Sequence, residues 1–303
     1  MNTHGHTQTL QAVLNLRPTA ETKDTVLIAI DVENAGQITT SKTNSLEGIN
    51  TQIGFAVLDT ALLPTNTPPS ECISTYNFAT GATRYCRRAC TRFIFGKSIE
   101  VKDKRGMAGM IYKLILNPFE DRGRDIMLVG HAITSDIYAL STIIPRFASY
   151  RYLDTQSIAR LVLPRGGKPN HSLEYLLKLF QCPFGRLHCA GNDANFTLKL
   201  LLLLAVYSFP LEEVFGGNVG VIGRLMGVAN VELPVRRYLH EVAYERKMRK
   251  RERKMMKRFR DLETIQRIRA ERAARREERE AEGEGGERGR GRGRRGACGD
   301  FWE

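Results

Sequence analysis

The chain has 303 residues, of which 42% are hydrophobic, and its formal net charge is +13. The hydrophobic content suffices for a sizeable core, which excludes a wholly disordered chain, and the positive charge favours a polyanionic partner. The first residues contain no basic segment followed by an apolar run, so we expect no secretory signal and a location in the cytoplasm or nucleus. The apolar run over 200–205 is too short to cross a bilayer, and no membrane partner is expected.

The beginning of the chain predicts a leader followed by two paired strands. Residues 1–22 are polar and lack clear periodicity, which predicts a mobile leader. The nearly continuous apolar run over 25–33 predicts a central strand covered on both faces, and this strand ends in Asp31 and Glu33. The run over 52–59 predicts a second strand that pairs antiparallel with the first.

Residues 60–207 show helices and strands in alternation. Residues 60–90 predict either a long irregular insertion or a third strand with loops. The patterns further predict strands over 93–95, 125–131 and 151–154, and helices over 107–116, 134–143, 173–180 and 191–207. This alternation, with an early hairpin, indicates an α/β fold with a mixed sheet, and we assign residues 23–209 to it as one domain.

The C-terminal part of the chain predicts less order. Residues 210–240 predict an irregular extension, whose glycines follow a helix rather than a strand and so argue against a dinucleotide-binding loop. Residues 241–303 hold 21 Lys and Arg and 14 Asp and Glu. This composition predicts a basic tail, either disordered or helical, whose Arg- and Gly-rich end cannot build a core.

The basic tail has two interpretations. It could neutralise phosphates without reading base sequence, because ten basic residues accompany a single acid between 246 and 260. The alternative is a solvated extension or a nuclear-targeting patch. Under the first interpretation the phosphate-binding residues are Arg246, Lys247, Arg249, Lys250, Arg251, Arg253 and Lys254.

The segment 188–194 places an imidazole and a carboxylate at the start of the last core helix. His188 precedes the predicted helix and Asp193 falls in its first turn, so the two are about one helical turn apart. The simpler interpretation is a helix start at which Asn192 or Asp193 caps free backbone N–H groups. Both interpretations stay open on this segment alone.

Carboxylates stand at other element ends as well. Asp31 and Glu33 end the first strand, and Asp136 lies in the helix after strand 125–131. If those two strands are neighbours, these acids and Asp193 converge where open α/β sheets bind ligands. Two like charges 4 Å apart repel by roughly 4 kcal/mol at an effective dielectric of 20, so the group would require protonation or a cation. The alternative is that each acid is a solvated cap.

Oxygen ligands select hard ions such as Mg²⁺ or Mn²⁺. Two such ions about 3.5–4 Å apart would hold the attacking and leaving oxygens of a phosphodiester. His188 could then accept the proton of the attacking water, because an imidazole exchanges protons near neutral pH.

The order of these residues resembles the three motifs of the DEDDh family, the DnaQ-like 3′–5′ exonucleases of the ribonuclease-H-like fold. The resemblance spans about residues 25–207, and the strand Gln52–Val57 is similar to that family's second strand. The sequence around His131 and His188 is similar to that of a fungal branch of this family, which is named for a genetic link to a DEAD-box helicase of mRNA export. The motifs read Asp31-x-Glu33, His131-(x4)-Asp136 and His188-x-Ala190-x-x-Asp193.

The resemblance implies that Asp31, Glu33, Asp136 and Asp193 bind two metal ions and that His188 is the general base. We interpret His131 as structural. Three positions that help to seat the terminal nucleotide depart from the family pattern. Asn34 stands for a frequent Thr, Ala132 for a frequent Asn and Ser135 for a frequent aromatic residue.

These observations predict a metal-dependent enzyme that removes nucleotides from a single-stranded 3′ end, with RNA favoured over DNA. Asn34 is predicted to contact the nucleic acid. The alternative is a catalytically weak or inactive nucleic-acid-binding adaptor with ribonucleoprotein partners, which the departures and the basic tail favour.

Overall fold

The computed structural model describes residues 3–14, 16, 25–163, 171–209, 219–234, 267, 270–272, 274 and 275. The chain divides into two units, Met1–Arg236 and Arg237–Glu303. The few described residues of the second unit are helical. All seven basic residues predicted to bind phosphate lie outside the described part of the chain, and so does most of the predicted tail.

The first unit is built on a six-stranded mixed sheet. Its strands are β1 (Thr25–Glu33), β2 (Thr51–Asp59), β3 (Ile73–Thr80), β4 (Ile99–Glu100), β5 (Asp125–Gly130) and β6 (Arg151–Asp154). The order across the sheet is β4–β3–β2–β1–β5–β6. Strand β1 pairs antiparallel with β2 and parallel with β5, which makes it central, as the sequence predicts. This is the mixed sheet of a ribonuclease-H-like fold.

Helices cover both faces of the sheet. They are α1 (Thr3–Val13), α2 (Ala35–Thr40), α3 (Thr83–Arg92), α4 (Lys104–Ile111), α5 (Asn117–Glu120), α6 (Thr134–Ser141), α7 (Thr155–Val162), α8 (Leu173–Leu179), α9 (Ala190–Tyr207) and α10 (Val219–Ala229). A π-helical turn, Tyr112–Leu116, extends α4, and 3₁₀ turns lie at Thr60–Leu62, Pro69–Glu71 and Pro145–Ser149. The predicted helix over 107–116 is thus the end of α4 and the π turn.

Strand β1 is apolar throughout because it contributes to two cores. Leu27 and Ala29 point to the face covered by α9, whereas Val26, Ile28 and Ile30 point to the face covered by α4 and α6. Side chains alternate between the two faces of a strand, so a strand covered on both faces reads as a continuous apolar run.

Helix α9 lies almost entirely inside the protein. Its residues from Ala190 to Ala205 are all buried, between β1, β2 and β3 on one side and α1, α7, α8 and α10 on the other. A helix that is apolar all round is expected to be surrounded in this way. None of the helices described is long and apolar enough to span a membrane.

The predicted mobile leader is wrong for the described residues of that segment. Residues 3–13 form α1, and Leu10, Leu14 and Leu16 are buried in the core around α9. The amide of Gln11 donates to the backbone oxygen of Ser208, at 3.2 Å, just after α9. The sequence does not reveal this helix because its N-terminal half is polar, and Leu10 and Val13 are its buried apolar residues among the side chains that are described.

Two other predicted segments also differ in the structure. The extension 210–240 contains α10, whose Leu225 and Val228 pack in the core around α9, so its described part is neither irregular nor separate. Residues 93–95 form no strand, because the Ile94 N–H donates to the Asn192 side chain, at 3.0 Å, instead of to a neighbouring strand. The alternative that includes a third strand is correct for 60–90, since this segment contains β3 and most of α3.

Candidate active site

The end of β1 and the start of α6 bring three carboxylates together. Asp31 and Glu33 project from one side of β1, two residues apart. The parallel neighbour β5 ends at Gly130, and the short loop after it leads to Asp136 in the first turn of α6. Asp136 Oδ1 accepts a hydrogen bond of 3.2 Å from the N–H of Val32, between the two acids of β1. This is the convergence that the predicted strand arrangement requires.

Gly54 allows α9 to lie close enough to the sheet for Asp193, the fourth carboxylate, to reach the other three. Gly54 of β2 lies opposite Asp31 in the sheet, and a Cβ at this position would lie 1.9 Å from the backbone oxygen of Ala190. The first turn of α9 therefore lies directly on the β2 backbone, which no larger residue would permit. The N–H of Gly191 donates to the side chain of Asn77 on β3, at 2.9 Å, and fixes this contact.

Asp31, Glu33 and Asp193 form a compact oxygen cluster. Each offers one carboxylate oxygen, and these three atoms lie within 4.8 Å of one another. Among the residues that the structure describes, Asp31 Oδ2 and Asp193 Oδ1 are buried oxygens without a hydrogen-bond donor. Carboxylate oxygens are the ligands that hard divalent cations prefer, and a cation would balance both orphaned atoms. The donor set therefore fits a divalent metal ion.

The pKa values of the carboxyl groups reflect this crowding. Burial, followed by the charges of Asp193, Asp136 and Glu33, raises the pKa of Asp31 well above its usual value. Burial is also the main cause that raises the pKa of Asp136 and of Asp193 to about 7, with the charge of Glu33 adding to it. Hydrogen bonds from backbone N–H groups partly offset both increases. Without a cation, the ionised carboxylates of the cluster repel one another and destabilise the folded protein.

His188 stands beside this cluster with its ring toward solvent. Its backbone adopts a left-handed conformation, with φ of 63°, and its N–H donates to Asp193 Oδ2 at 2.8 Å. Its ring Nδ1 lies 3.8 Å from Glu33 Oε1, and its side chain is 83% exposed. The backbone is thus fixed to one acid while the imidazole can reach a ligand above the cluster.

The three positions that depart from the family pattern lie around this cluster. Asn34 follows β1 with φ of 62°, and its amide donates to Asn50 O at 2.9 Å and to the Tyr85 hydroxyl at 3.3 Å. Ala132 has φ of 60°, and its N–H donates to Asp154 Oδ1 at 3.0 Å. Ser135 is exposed next to Asp136. The amide of Asn34 is therefore committed to the protein rather than directed at a ligand.

His131 has the surroundings of a structural residue. Its Nε2 lies 2.7 Å from the backbone oxygen of His171, and its Nδ1 lies 2.9 Å from the Thr155 hydroxyl. Burial lowers its pKa. Both ring nitrogens are thus engaged, Nδ1 with the first residue of α7 and Nε2 with the segment before α8.

Several residues that hold the site together carry no motif. Asn192, fully buried in α9, accepts from the N–H of Ile94 and donates to the backbone oxygens of Arg92 and Arg186. Asp154 holds the loop before α6 and also caps α7. A buried amide inside an apolar helix is the signal that could have singled out Asn192, because buried polar groups require partners.

Two comparisons with known proteins agree with this geometry. The family model described as DNA polymerase III subunit epsilon-like, C-terminal domain, of the DEDDh type, matches residues 26–204. The uncharacterized protein YDR514C of Saccharomyces cerevisiae is 37% identical over 101 residues, which cover 27% of this chain and 20% of the yeast protein. The chain thus spans a small part of that relative. Because the family model covers more than half of the chain and includes all four carboxylates, the chain belongs to the DEDDh exonuclease family.

Proposed function

We propose that this protein is a 3′–5′ exonuclease that uses two Mg²⁺ or Mn²⁺ ions to hydrolyse single-stranded nucleic acid, with RNA favoured. The observation that carries the proposal is the cluster of Asp31, Glu33 and Asp193, which contains two orphaned buried oxygens. Its place at the carboxyl end of β1, inside a DEDDh domain, supports a nuclease rather than a structural cation site.

Each site residue has a distinct part in this proposal. Asp31, Glu33 and Asp193 would hold one ion, and Asp136, beside Asp31, would contribute to the second. The ions would supply the positive charge that polarises the phosphodiester and lowers the pKa of the attacking water. His188 would accept the proton of that water, because its exposed ring lies 3.8 Å from Glu33, at the edge of the cluster. Its backbone bond to Asp193 would keep it near the cluster.

Digestion of matched RNA and DNA strands tests the proposal. Purified protein with Mn²⁺ should shorten a single strand from its 3′ end and release nucleoside monophosphates, and Asp31→Ala should abolish this activity. Asp121→Ala is the matched control, because Asp121 is an exposed acid in the turn before β5, at the opposite end of the sheet. Digestion that persists in Asp31→Ala would assign the activity to a contaminant and refute the proposal.

A second candidate is a nucleic-acid-binding adaptor with little or no turnover. The engagement of the Asn34 amide by Asn50 and Tyr85 favours it, since this position is then less able to hold a terminal nucleotide. The adaptor would bind strands through its basic tail, with an affinity that falls steeply with salt. Filter binding by the full chain and by a chain ending at residue 240, with no product under any metal condition, would identify it.

A further inference from the structure

Helix α3 presents a row of arginines that the proposed chemistry does not use. Its ten residues, Thr83–Arg92, include four arginines and no acid. Cys86 and Ala89 are buried against the sheet, whereas Arg84, Arg87 and Arg88 are exposed. Arg84 and Arg88 are separated by one helical turn, so their side chains leave the same face about 6 Å apart.

Both ends of α3 contact the candidate active site. Near its N-terminus, the hydroxyl of Tyr85 lies 3.3 Å from the amide nitrogen of Asn34, the residue after Glu33. At its C-terminus, the guanidinium of Arg92 donates to the backbone oxygen of Leu187, the residue before His188. Each end of α3 therefore contacts a residue adjacent in sequence to a candidate site residue, Glu33 at one end and His188 at the other.

The arrangement of charge on α3 is unfavourable for the isolated protein. Within the described part of the chain, Arg84, Arg87 and Arg88 form no ion pair with a carboxylate. Arg84 and Arg88 repel each other at a separation of four residues, and Arg84 lies in the first turn, where the helix dipole disfavours a cation. An anion bound to this face of the helix would offset the repulsion between the arginines.

We infer that the exposed face of α3 binds the backbone phosphates of the single strand whose 3′ end lies at the carboxylates. The inference rests on the proposed function for the position of that end. A row of arginines neutralises phosphates without contacting the bases. The affinity would therefore depend on the length and charge of the strand rather than on its base sequence. Nucleotides upstream of the cleaved bond are the part of the strand that reaches α3.

A pair of double variants tests this inference in the full chain. Arg84→Gln with Arg88→Gln removes two charges from α3. The control, Lys113→Gln with Arg122→Gln, removes the same charge from exposed residues on the segment that leads into the start of β5. Affinity for a fluorescent single strand of 15 nucleotides is measured by anisotropy in EDTA, which prevents turnover. Digestion of that strand and of a dinucleotide is then measured in Mn²⁺.

The α3 variant should bind the 15-nucleotide strand about tenfold more weakly than wild type, as the loss of two exposed ion pairs predicts. Its salt dependence, log K against log[salt], should become shallower by about 1.4, which corresponds to two lost phosphate contacts on a single strand. The ratio of kcat/KM for the long strand to that for the dinucleotide should also fall about tenfold. Arg84→Lys with Arg88→Lys should restore most of the affinity, and the Lys113 and Arg122 control should match wild type.

Each outcome separates this inference from the proposed function. Equal affinities and equal salt slopes for the α3 variant and the control would overturn the inference. The remaining partner for the arginines of α3 would then be an acidic protein. Loss of strand binding in the α3 variant, in a protein that digests nothing, would refute the nuclease and retain α3 as a strand-binding surface. If the α3 variant digests long strands as fast as wild type, the inference about α3 is refuted and the proposed function is not.

Discussion

Removing one negative charge from the carboxylate cluster should stabilise the metal-free protein. Asp193→Asn keeps an oxygen that can accept the hydrogen bond from the His188 N–H. It replaces the orphaned Oδ1 with an amide nitrogen that can donate a hydrogen bond, in a cluster where one oxygen of Asp193 lies within 4.8 Å of carboxylate oxygens of Asp31 and Glu33. The variant therefore replaces repulsion by a hydrogen bond, without a change in side-chain size.

The expected gain follows from the pKa of Asp193. Its usual pKa is 3.8, and burial with the neighbouring charge of Glu33 raises it to about 7 in the folded protein. A difference of about 3 in pKa corresponds to about 4 kcal/mol of destabilisation. This cost is fully present above pH 7, falls to about 1–2 kcal/mol at pH 5, and disappears below the unfolded pKa. Asp193→Asn should thus stabilise the protein by about 3–4 kcal/mol at pH 8 and by about 1–2 kcal/mol at pH 5.

Urea unfolding in EDTA at pH 5 and pH 8 measures this effect. Asp121→Asn, at an exposed position, should change the free energy of unfolding by less than about 0.5 kcal/mol at either pH. Addition of Mn²⁺ should raise the stability of wild type but not that of Asp193→Asn, because the variant has lost a ligand. A variant that is less stable than wild type in EDTA at pH 8 would refute the electrostatic argument.

Three further predictions concern the backbone and the proton acceptor. Gly54→Ala should cost at least about 2–3 kcal/mol in urea unfolding, because its methyl group would overlap Ala190 O; unchanged stability would show that α9 does not rest on this glycine. Ala132→Asn should raise the free energy of unfolding by about 0.5–1 kcal/mol, because asparagine tolerates the left-handed backbone better, and a loss would contradict this. His188→Asn should lower kcat about 10²–10⁴-fold while thermal unfolding stays unchanged, because the ring is exposed and asparagine also tolerates the φ of 63° at this position; a normal kcat would exclude His188 as the base.

The sequence predicts the sheet and the acid residues because both depend on local patterns. The runs over 25–33 and 52–59 have the apolar composition and the length of buried strands, and β1 and β2 were found within one residue of the predicted limits. The four carboxylates follow element ends, and the parallel pairing of β1 with β5 brings them together as expected. The roles of these residues in catalysis, and the narrower likeness to the fungal branch, stay predictions.

The sequence does not predict features that depend on contacts between distant segments. Residues 3–16 are predicted as a leader because only the position of α9 shows what Leu10, Leu14 and Leu16 cover. The close approach at Gly54 is visible only once α9 is placed on β2. Helix α3 is concealed for a similar reason, because its ten residues bury only Cys86 and Ala89, too few to give a clear apolar stripe.

The three hydrogen bonds of the Asn192 amide restrict which side chains this position can accept. Its oxygen and both of its N–H groups are spent on three backbone atoms, at Ile94, Arg92 and Arg186. Aspartate lacks the two N–H donors of the amide, and glutamine is longer by one methylene. Leucine would leave all three backbone groups without a hydrogen-bond partner. The start of the helix that supplies Asp193 is therefore tied to the end of α3, and a substitution at Asn192 should displace both segments together.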